Sequence, residues 1–541
     1  MKKSIYMIGV AAIAMLMSSC AASWLDQEPS GSSITEAQYQ QMDGVLKGSV
    51  RGIYAMMYQY GGDHDVFGQR GIDMYSDFTC GDMAMQSFSY GWFQTDEMEQ
   101  SYTRRAYLWS YYYDMIRLCN KAINAVQAQV GKEDLMNEDL INENLESFYY
   151  YGQVLAMRGW CYANLQKWFC YTPDYLETQG VGLDEINSLP IYTEEVTEGD
   201  TILGNPLSTA AQVYERAEED LKTAIYYLDK TEAKGYTRTL KQEMNSDVAR
   251  LTLAYSYLNK RDWVNAAKYA EEFISNTSAK LLTQDEVLTT GFNNIASNNW
   301  VWGQDVTVET TTSLASFFGQ VDVFSYSYAW AGDIKGIDQN LYESIPAWDI
   351  RAHWFNNFTD NDIKGYEYAP DGKFYSPAVK QKVGYTRKPT ADEIDRDWLC
   401  DHVFMRTELG YLIAAEAECR RDNLSEAQTY LYAITDERLA DPTDADGSYA
   451  AWKGTLGGKD AMLEAIRQNW RVELWGEGFG LQTFRRFAVG VTLGENHKTR
   501  ANKAINPSDA ASLRHFTFQI PSSEQYYNPF IRDAENMAVD E

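Results

Sequence analysis

Two pairs of short amphipathic segments constrain the fold more than any other feature of this sequence. In the first pair, residues 248–258 and 263–274 repeat apolar side chains at helical spacing, and only a short polar stretch around Arg261 separates them. A connection this short makes the two helices antiparallel neighbours. Ala266, Ala267 and Ala270 lie on the second segment, and their small side chains allow the helices to approach closely. The sequence therefore predicts a helical hairpin.

A second hairpin is predicted from residues 409–417 and 425–439, on either side of Arg421-Asp422-Asn423. Hairpins of this plan are typical of tetratricopeptide units. The two copies lie about 160 residues apart, so the chain is not a regular repeat array. Further helical periodicity precedes the first copy, and we predict a mostly α-helical protein with hairpins over about 105–275 and 405–440.

Two stretches lack this periodicity. Residues 61–97 mix glycine, aspartate and aromatic residues, which predicts a long loop region with possible short helices. Residues 276–399 are rich in Gly, Asn, Asp, Trp and Tyr, which predicts an irregular, loop-rich insertion. We expect the hairpins to form one flank of the protein and this irregular half to form the other.

The N-terminus is typical of an exported protein. Two lysines precede an apolar run at residues 5–17, which is too short to span a bilayer and is typical of a secretory signal. Cys20 stands where the cut is expected, which resembles the lipobox of bacterial lipoproteins, although Met17 occupies a position that usually holds Leu. Cleavage at Ser19 or Ala21 as in an ordinary signal is the alternative.

This reading divides the chain into three parts. Residues 1–19 are predicted to be the signal peptide, residues 20–35 the lipidated cysteine and a flexible tether, and residues 36–541 a single binding domain. The six later cysteines are interpreted as buried thiols, with one or two disulfides as the alternative in an exported protein.

Composition and motifs exclude several functions. The formal net charge of -30 argues against nucleic acid or anionic lipid as the main ligand. No catalytic or phosphate-binding motif is present, and no histidine lies at metal-ligand spacing, so we expect no enzyme activity, cofactor or metal. The five histidines are His64, His353, His402, His497 and His515.

The order of landmarks resembles the SusD/RagB family of nutrient-binding outer-membrane lipoproteins over nearly the whole chain. The landmarks are Trp24-Leu25-Asp26-x-x-Pro29 after the lipobox, Phe67 to Asp77 with Gly81-Asp82, Arg158-x-x-x-Tyr162, Asp401-x-Val403-Phe404-Met405-Arg406-Thr407, Arg471-x-Glu473-Leu474-x-x-Glu477-Gly478, Arg485-Arg486-Phe487 and Phe518-Gln519-Ile520-Pro521-x-x-Glu524. The chain departs from the family at Gly480 and Thr483, where Arg and Asp are usual.

The resemblance implies a non-enzymatic, lipid-anchored protein on the outer membrane that faces the cell exterior. Such a protein covers a SusC-like TonB-dependent barrel, captures oligosaccharide and hands it to the barrel, opening on a hinge near the N-terminal tether. The resemblance also implies that the two irregular regions form the glycan platform, opposite the helical hairpins, and that the hairpins contact the partner.

Aromatic residues in the irregular regions are the expected ligand contacts. A pyranose packs its C–H face on an aromatic ring, while its hydroxyl groups need polar partners. Trp92 and Trp330 are favoured because small neighbours such as Gly91 and Ala329 leave their rings accessible. Packing in the core is the alternative for each ring. The predicted ligand residues are Tyr90, Trp92, Tyr326, Tyr328 and Trp330, with Asp82 and Asn299 as polar partners; Phe93, Trp300 and Trp302 lie in the same regions.

Three other functions stay open at this point. Peptide capture, as in the RagB branch, would need a cleft suited to an extended backbone. A glycan-cleaving enzyme is conceivable because carboxylate pairs are abundant, although no pair is singled out. A protein-binding scaffold would have no small ligand at all.

Overall fold

The structure, a computed structural model, describes most of the chain after residue 43. Predicted features that fall outside the described residues are the signal peptide, Cys20 and the tether. Residues 50–541 form one compact unit. The described residues are 44–85, 92–93, 103–132, 134–195, 204–287, 292–307, 309–321, 327–329, 333, 335–358, 374–377, 400–500, 502–508 and 516–531.

The described residues are mostly α-helical, as predicted. None of their helices combines the length and the apolarity needed to cross a membrane. The helices are α1 Val45–Ala55, α2 Gln69–Cys80, α3 Thr103–Val130, α4 Glu138–Glu143, α5 Leu145–Phe169, α6 Pro173–Thr178, α7 Ala210–Glu232, α8 Ser246–Lys260, α9 Trp263–Asn276, α10 Gln284–Val287, α11 Phe317–Val321, α12 Gln339–Glu343, α13 Thr407–Arg420, α14 Leu424–Thr435, α15 Ser448–Gly454, α16 Lys459–Glu473, α17 Gly480–Phe487 and α18 Ser522–Tyr527, with 3₁₀ helices at Met56–Tyr58, Ile350–Trp354 and Asp436–Arg438.

Strands are short and pair two by two, always antiparallel among the described residues. Between α9 and β8, no described element is longer than five residues. The pairs are β1 Met83–Met85 with β5 Lys335–Ile337, β2 Asn187–Pro190 with β3 Leu207–Thr209, β4 Trp300–Gln304 with β8 His402–Arg406, β6 Phe355–Phe358 with β7 Phe374–Pro377, and β9 Val491–Thr492 with β10 Ala504–Ile505.

Both predicted hairpins are present, as α8–α9 and α13–α14. In each turn the central residue, Arg261 or Asp422, has a φ of 68°, which reverses the chain within three residues. The hairpins are far apart in sequence, yet α9 packs directly on α13. Gly410 of α13 allows this approach, because a Cβ there would lie 2.5 Å from the Phe273 ring of α9. The two hairpins thus form one continuous helical layer.

The structure corrects the prediction of a loop region at residues 61–97. Gln69–Cys80 forms helix α2, and every residue of this helix is buried. Its apolar residues Ile72, Tyr75 and Phe78 recur at helical spacing, and its polar residues, among them Asp73 and Asp77, are buried as well. This short period lies among glycine, aspartate and aromatic residues that are typical of loops, which is why the region as a whole indicated a loop.

Helix α2 is fixed by the Gly-x-Gly-x-Gly stretch of residues 476–480. The Asp77 carboxylate accepts hydrogen bonds from the backbone N–H groups of Gly476 (2.6 Å) and Gly480 (3.1 Å), and Ser76 Oγ donates to Gly478 O (2.9 Å). Burial, helped by the charge of Asp82, raises the pKa of Asp77 to about 7. The backbone of residues 476–480 thus holds α2 in place, although about 400 residues separate the two segments in the chain.

A buried ionic cluster links α16 with several distant segments. Glu473 accepts hydrogen bonds from Arg351, Arg406 and Arg438, and all four side chains are at most 2% exposed.

The six cysteines of the described residues are free and buried, which confirms their interpretation as buried thiols. They are Cys80, Cys119, Cys161, Cys170, Cys400 and Cys419.

Candidate functional site

The predicted ligand residues fall into three groups. Tyr90, Tyr326, Trp330 and Cys20, the predicted lipid attachment residue, lie outside the described residues. Asp82 and Asn299 are buried. Trp92 and Tyr328 lie against each other, although 235 residues separate them in the chain.

Asp82 and Asn299 face the interior and hold the fold together. Asp82 is 3% exposed and forms an ion pair with Arg471, whose Nη2 lies 2.7 Å from its carboxylate. Asn299 has no exposed surface, and its Nδ2 donates to Glu408 Oε2 (3.2 Å). A ligand could not reach either side chain in this conformation, so we do not retain them as polar partners.

Trp300 and Trp302 are also interior residues. Both are fully buried in strand β4, and Trp302 Nε1 donates to the carbonyl of Gln242 (2.9 Å) while its ring meets Trp160 edge-on. Pairing with β8 covers this strand. The Trp-x-Trp pattern thus marks a buried strand and not an exposed platform.

Trp92 and Tyr328 belong to an aromatic cluster that also contains Tyr60 and His64. The His64 ring stacks on Trp92, with ring centroids 4.9 Å apart and planes 19° apart. Tyr328 meets Trp92 edge-on, with centroids 4.6 Å apart. Tyr60 packs edge-on against His64 and is 44% exposed, while Trp92 and His64 are partly exposed. Tyr328 is buried (8% exposed), whereas the other three rings are partly exposed. We call these four rings, all within residues 50–541, the aromatic cluster.

A tight turn carries two members of the cluster. Tyr60 and Phe67 form an isolated antiparallel bridge, and Gly61 N–H donates to Val66 O (2.8 Å), which closes the loop that bears His64. Gly61 is required there, because a Cβ would lie 2.2 Å from the Val66 side chain.

Asp65 joins this turn to the segment that carries Trp92. Its carboxylate accepts hydrogen bonds from Tyr75 Oη (2.5 Å), Arg104 Nε (2.9 Å) and the backbone N–H of Phe93 (3.3 Å). Phe93 is fully buried and has a φ of 56°, an unusual conformation for a bulky residue. Its burial among aromatic rings fixes the backbone next to Trp92.

The backbone of Tyr328 is held by neighbouring residues. Its N–H donates to Gly319 O (2.9 Å), and its carbonyl accepts from Asp333 N–H (2.9 Å). Asp333 also forms a buried ion pair with Lys335 at 2.7 Å, on the strand that pairs with β1. The loop-rich insertion thereby brings Tyr328 to the aromatic cluster.

Polar groups at the edge of the cluster come from Asp63 and Arg104. The Asp63 side chain is 55% exposed, and its carboxylate lies 2.9 Å from Arg104 Nη2. Burial lowers the pKa of Arg104, but Tyr75, Asp65 and Asp63 outweigh this effect and raise it above the ordinary value. Arg104 therefore stays cationic, and this edge offers hydrogen-bond donors and acceptors beside aromatic faces.

Sequence reasoning missed Tyr60 and His64. The spacing of the histidines in the sequence bears only on metal binding and does not point to a role in an aromatic cluster. Among the described residues, no group of three or more His, Cys, Asp or Glu side chains is arranged to hold a metal ion. The available signal was the Tyr-Gly-Gly-Asp-His-Asp stretch, in which a turn composition is flanked by aromatic residues.

A cleft between α5, α8 and α17 is a weaker candidate. Its volume is about 50 Å³, and Lys167, Asp73 and Gln482 lie in its wall. Small-molecule sites usually enclose about 300–1,000 Å³, whereas this cleft has room for a few water molecules.

Comparison with protein families gives two matches. A family described as "Starch-binding associating with outer membrane" matches residues 23–253, and the "SusD family" matches residues 400–536. Together these ranges span more than half of the chain. No curated protein matches the chain.

Solved structures share the fold. A SusD-like carbohydrate binding protein from Bacteroides vulgatus is 21% identical with a TM-score of 0.70, covering 90% of this chain and 96% of its own. A SusD superfamily protein from Bacteroides vulgatus is 18% identical with a TM-score of 0.68, covering 92% and 99%. Another from Bacteroides thetaiotaomicron is 19% identical with a TM-score of 0.65, covering 90% and 98%.

Proposed function

Because this chain belongs to the SusD family, we propose that it is a binding protein that captures oligosaccharides at the aromatic cluster. It acts without catalysis and delivers its ligand to a SusC-like TonB-dependent transporter of the outer membrane. Residues 36–541 are the binding domain, and the helical layer contacts the transporter.

The aromatic cluster is the observation that carries the proposal. Partly exposed rings of Tyr60, His64 and Trp92 lie beside the charged side chains of Asp63 and Arg104. Pairs of aromatic rings contribute about 0.5–1.5 kcal/mol beyond burial of their area. By analogy a single ring adds little to sugar binding, so several rings are needed to overcome the entropy lost on binding. The proposed site consists of the four rings of the aromatic cluster, with Asp63 and Arg104 as polar partners in place of Asp82 and Asn299. Tyr90, Tyr326 and Trp330 are retained as proposed ligand residues.

Replacing Trp92 with alanine is expected to weaken glycan binding at least about ten-fold. The variant loses the indole that would contact the sugar, and the His64 ring loses the indole on which it stacks. The measurement is a glycan array, with a peptide pool beside it, probed with the full chain in a detergent that has no sugar head group. Affinity for the best glycan is then measured by calorimetry.

Trp452→Ala is the matched control, since Trp452 is also a partly buried indole in an aromatic group, with Trp348 and Tyr449, but lies outside the aromatic cluster. This variant should bind glycan as the wild type does. If Trp92→Ala binds glycan as tightly as the wild type does, the aromatic cluster is not the glycan-binding site. Binding of peptides alone would favour the RagB-like reading, cleavage of the glycan would favour an enzyme, and no binding would favour a scaffold.

Cys20 is proposed to be the lipid attachment site that holds the protein on the outer membrane, facing outward. The support is the lipobox-like sequence that ends at Cys20. Mass spectrometry of the processed N-terminus should find an acylated Cys20, and Cys20→Ala should remain unacylated. An unmodified N-terminus at Ala21 in the wild type would instead indicate an ordinary secretory signal.

A further inference from the structure

His64 contacts two of the predicted ligand residues at once. Its ring stacks on Trp92 and meets Tyr328 edge-on, and its Nδ1 forms a hydrogen bond with Tyr328 Oη. We propose that His64 is a positioning residue that sets the orientation of the Trp92 ring. That this orientation matters for glycan binding rests on the proposed function. The effect of His64 on the Trp92 ring is independent of that function.

Stacking on His64 restricts rotation of the Trp92 indole. A tryptophan side chain turns about two bonds, and a ring 4.9 Å away at 19° opposes rotation about either one. Tyr328 opposes rotation from the side, since it meets Trp92 at 76°. The two contacts are joined through the His64–Tyr328 hydrogen bond, so the three rings orient one another.

His64 can serve this purpose because its own backbone is fixed. Its carbonyl accepts a hydrogen bond from Gln320 Nε2 (2.8 Å), and Gln320 is fully buried in α11. The residues on either side, Asp63 and Asp65, both form ion pairs with Arg104, at 2.9 and 2.7 Å. The histidine ring thus projects from a turn that is attached to α3 and to α11.

Histidine combines the two properties that this position requires. Its flat ring stacks on an indole, and its ring nitrogen bonds a phenol hydroxyl. Phenylalanine keeps the first property and loses the second, while glutamine keeps hydrogen-bonding groups but has no ring. The two substitutions therefore separate stacking from hydrogen bonding.

The test is the accessibility of Trp92 to acrylamide, measured without any ligand. Fluorescence quenching is recorded for the full chain in detergent, and the Trp92 part is obtained by subtracting the same protein carrying Trp92→Phe. We expect the quenching constant of Trp92 to rise in His64→Ala and His64→Gln and to return to the wild-type value in His64→Phe. His353→Ala, which removes an exposed histidine elsewhere, is the control and should change nothing.

Two results would overturn the inference. One is an unchanged Trp92 quenching constant in His64→Ala; the other is equal behaviour of His64→Phe and His64→Gln, which would mean that stacking is not the cause. Thermal unfolding of each variant excludes general loss of structure, since a variant that unfolds would alter all tryptophans and not the Trp92 difference alone.

Glycan binding provides the second readout. With the best glycan from the array, His64→Ala should bind between about two- and ten-fold more weakly, and His64→Phe within about two-fold of the wild type. If Trp92→Ala binds normally, the proposed binding site fails, while the quenching result still decides the role of His64. If Trp92→Ala fails to bind and both His64 variants bind normally, only the inference about His64 is overturned.

Discussion

Glu473→Ala is expected to lower the free energy of unfolding by about 3–5 kcal/mol, the usual cost of removing one partner from a buried charge network. Glu473 Oε1 accepts hydrogen bonds from Arg406 Nη1 (2.7 Å) and Arg438 Nη2 (2.9 Å), and Oε2 accepts from Arg351 Nη1 (2.9 Å). Without this carboxylate, three buried guanidinium groups share fewer acceptors. Urea unfolding followed by circular dichroism measures the loss.

The cluster is sensitive because its members come from distant parts of the chain. Arg351 belongs to the loop-rich insertion, Arg406 to β8 and Arg438 to a 3₁₀ helix after α14, while Glu473 ends α16. Glu408 and Glu477 supply further carboxylates, each 3.0 Å or less from Arg406. Loss of the shared acceptor therefore weakens the contacts between all these segments together.

Glu464→Ala on the same helix is the matched control. Glu464 is 56% exposed and pairs with Arg467 on the surface, where ion pairs contribute about 0–1 kcal/mol. The urea midpoint of this variant should lie close to that of the wild type. Equal midpoints for the Glu464 and Glu473 variants would contradict the assigned role of the cluster.

The contribution of Glu473 should also depend on pH. Burial raises the pKa of this carboxyl, but the charges of Arg438, Arg406 and Arg351 outweigh burial and hold the pKa well below its ordinary value. A lowered pKa in the folded state stabilises the protein above the unfolded value of about 4.3, and this stabilisation is lost as the pH falls further. The difference in stability between wild type and Glu473→Gln should therefore shrink in acid.

Gly478→Ala is expected to cost about 3 kcal/mol or more in unfolding free energy. Gly478 has a φ of +86°, and a Cβ at this position would lie 2.3 Å from Asp73 Oδ1 on the buried helix α2. The substitution therefore adds backbone strain and a collision in the core. It also pushes α2 away from the carbonyl of Gly478, which accepts hydrogen bonds from Ser76 and Lys167.

Gly180→Ala separates the two causes. Gly180 has a similar φ of +69°, but no atom lies within 4 Å of a Cβ there. Its variant should lose only the backbone part, about 1–2 kcal/mol. Thermal and urea unfolding of both variants measure the difference, and equal losses would show that Asp73 and α2 yield easily at this position.

Gly480 illustrates what local sequence cannot reveal. The resemblance to the SusD/RagB family implies arginine at this position, and nothing in the neighbouring sequence explains the glycine. In the structure, a Cβ on Gly480 would lie 2.7 Å from both Asp77 Oδ1 and Cys80 Sγ, so this chain has no room for a side chain at that position. The reason for the glycine lies about 400 residues away in sequence, on α2.

The sequence by itself determined the mostly helical fold, the two helical hairpins and the family. Helical periodicity and the order of motifs can be read along the chain without knowing what each segment packs against. It also singled out Trp92 and Tyr328. Only the tertiary structure decided which candidates are exposed: Asp82, Asn299, Trp300 and Trp302 became interior once β4, β8 and α16 packed around them. Burial depends on what covers a residue, and for His64 and Trp92 the neighbours come from segments that no local pattern connects.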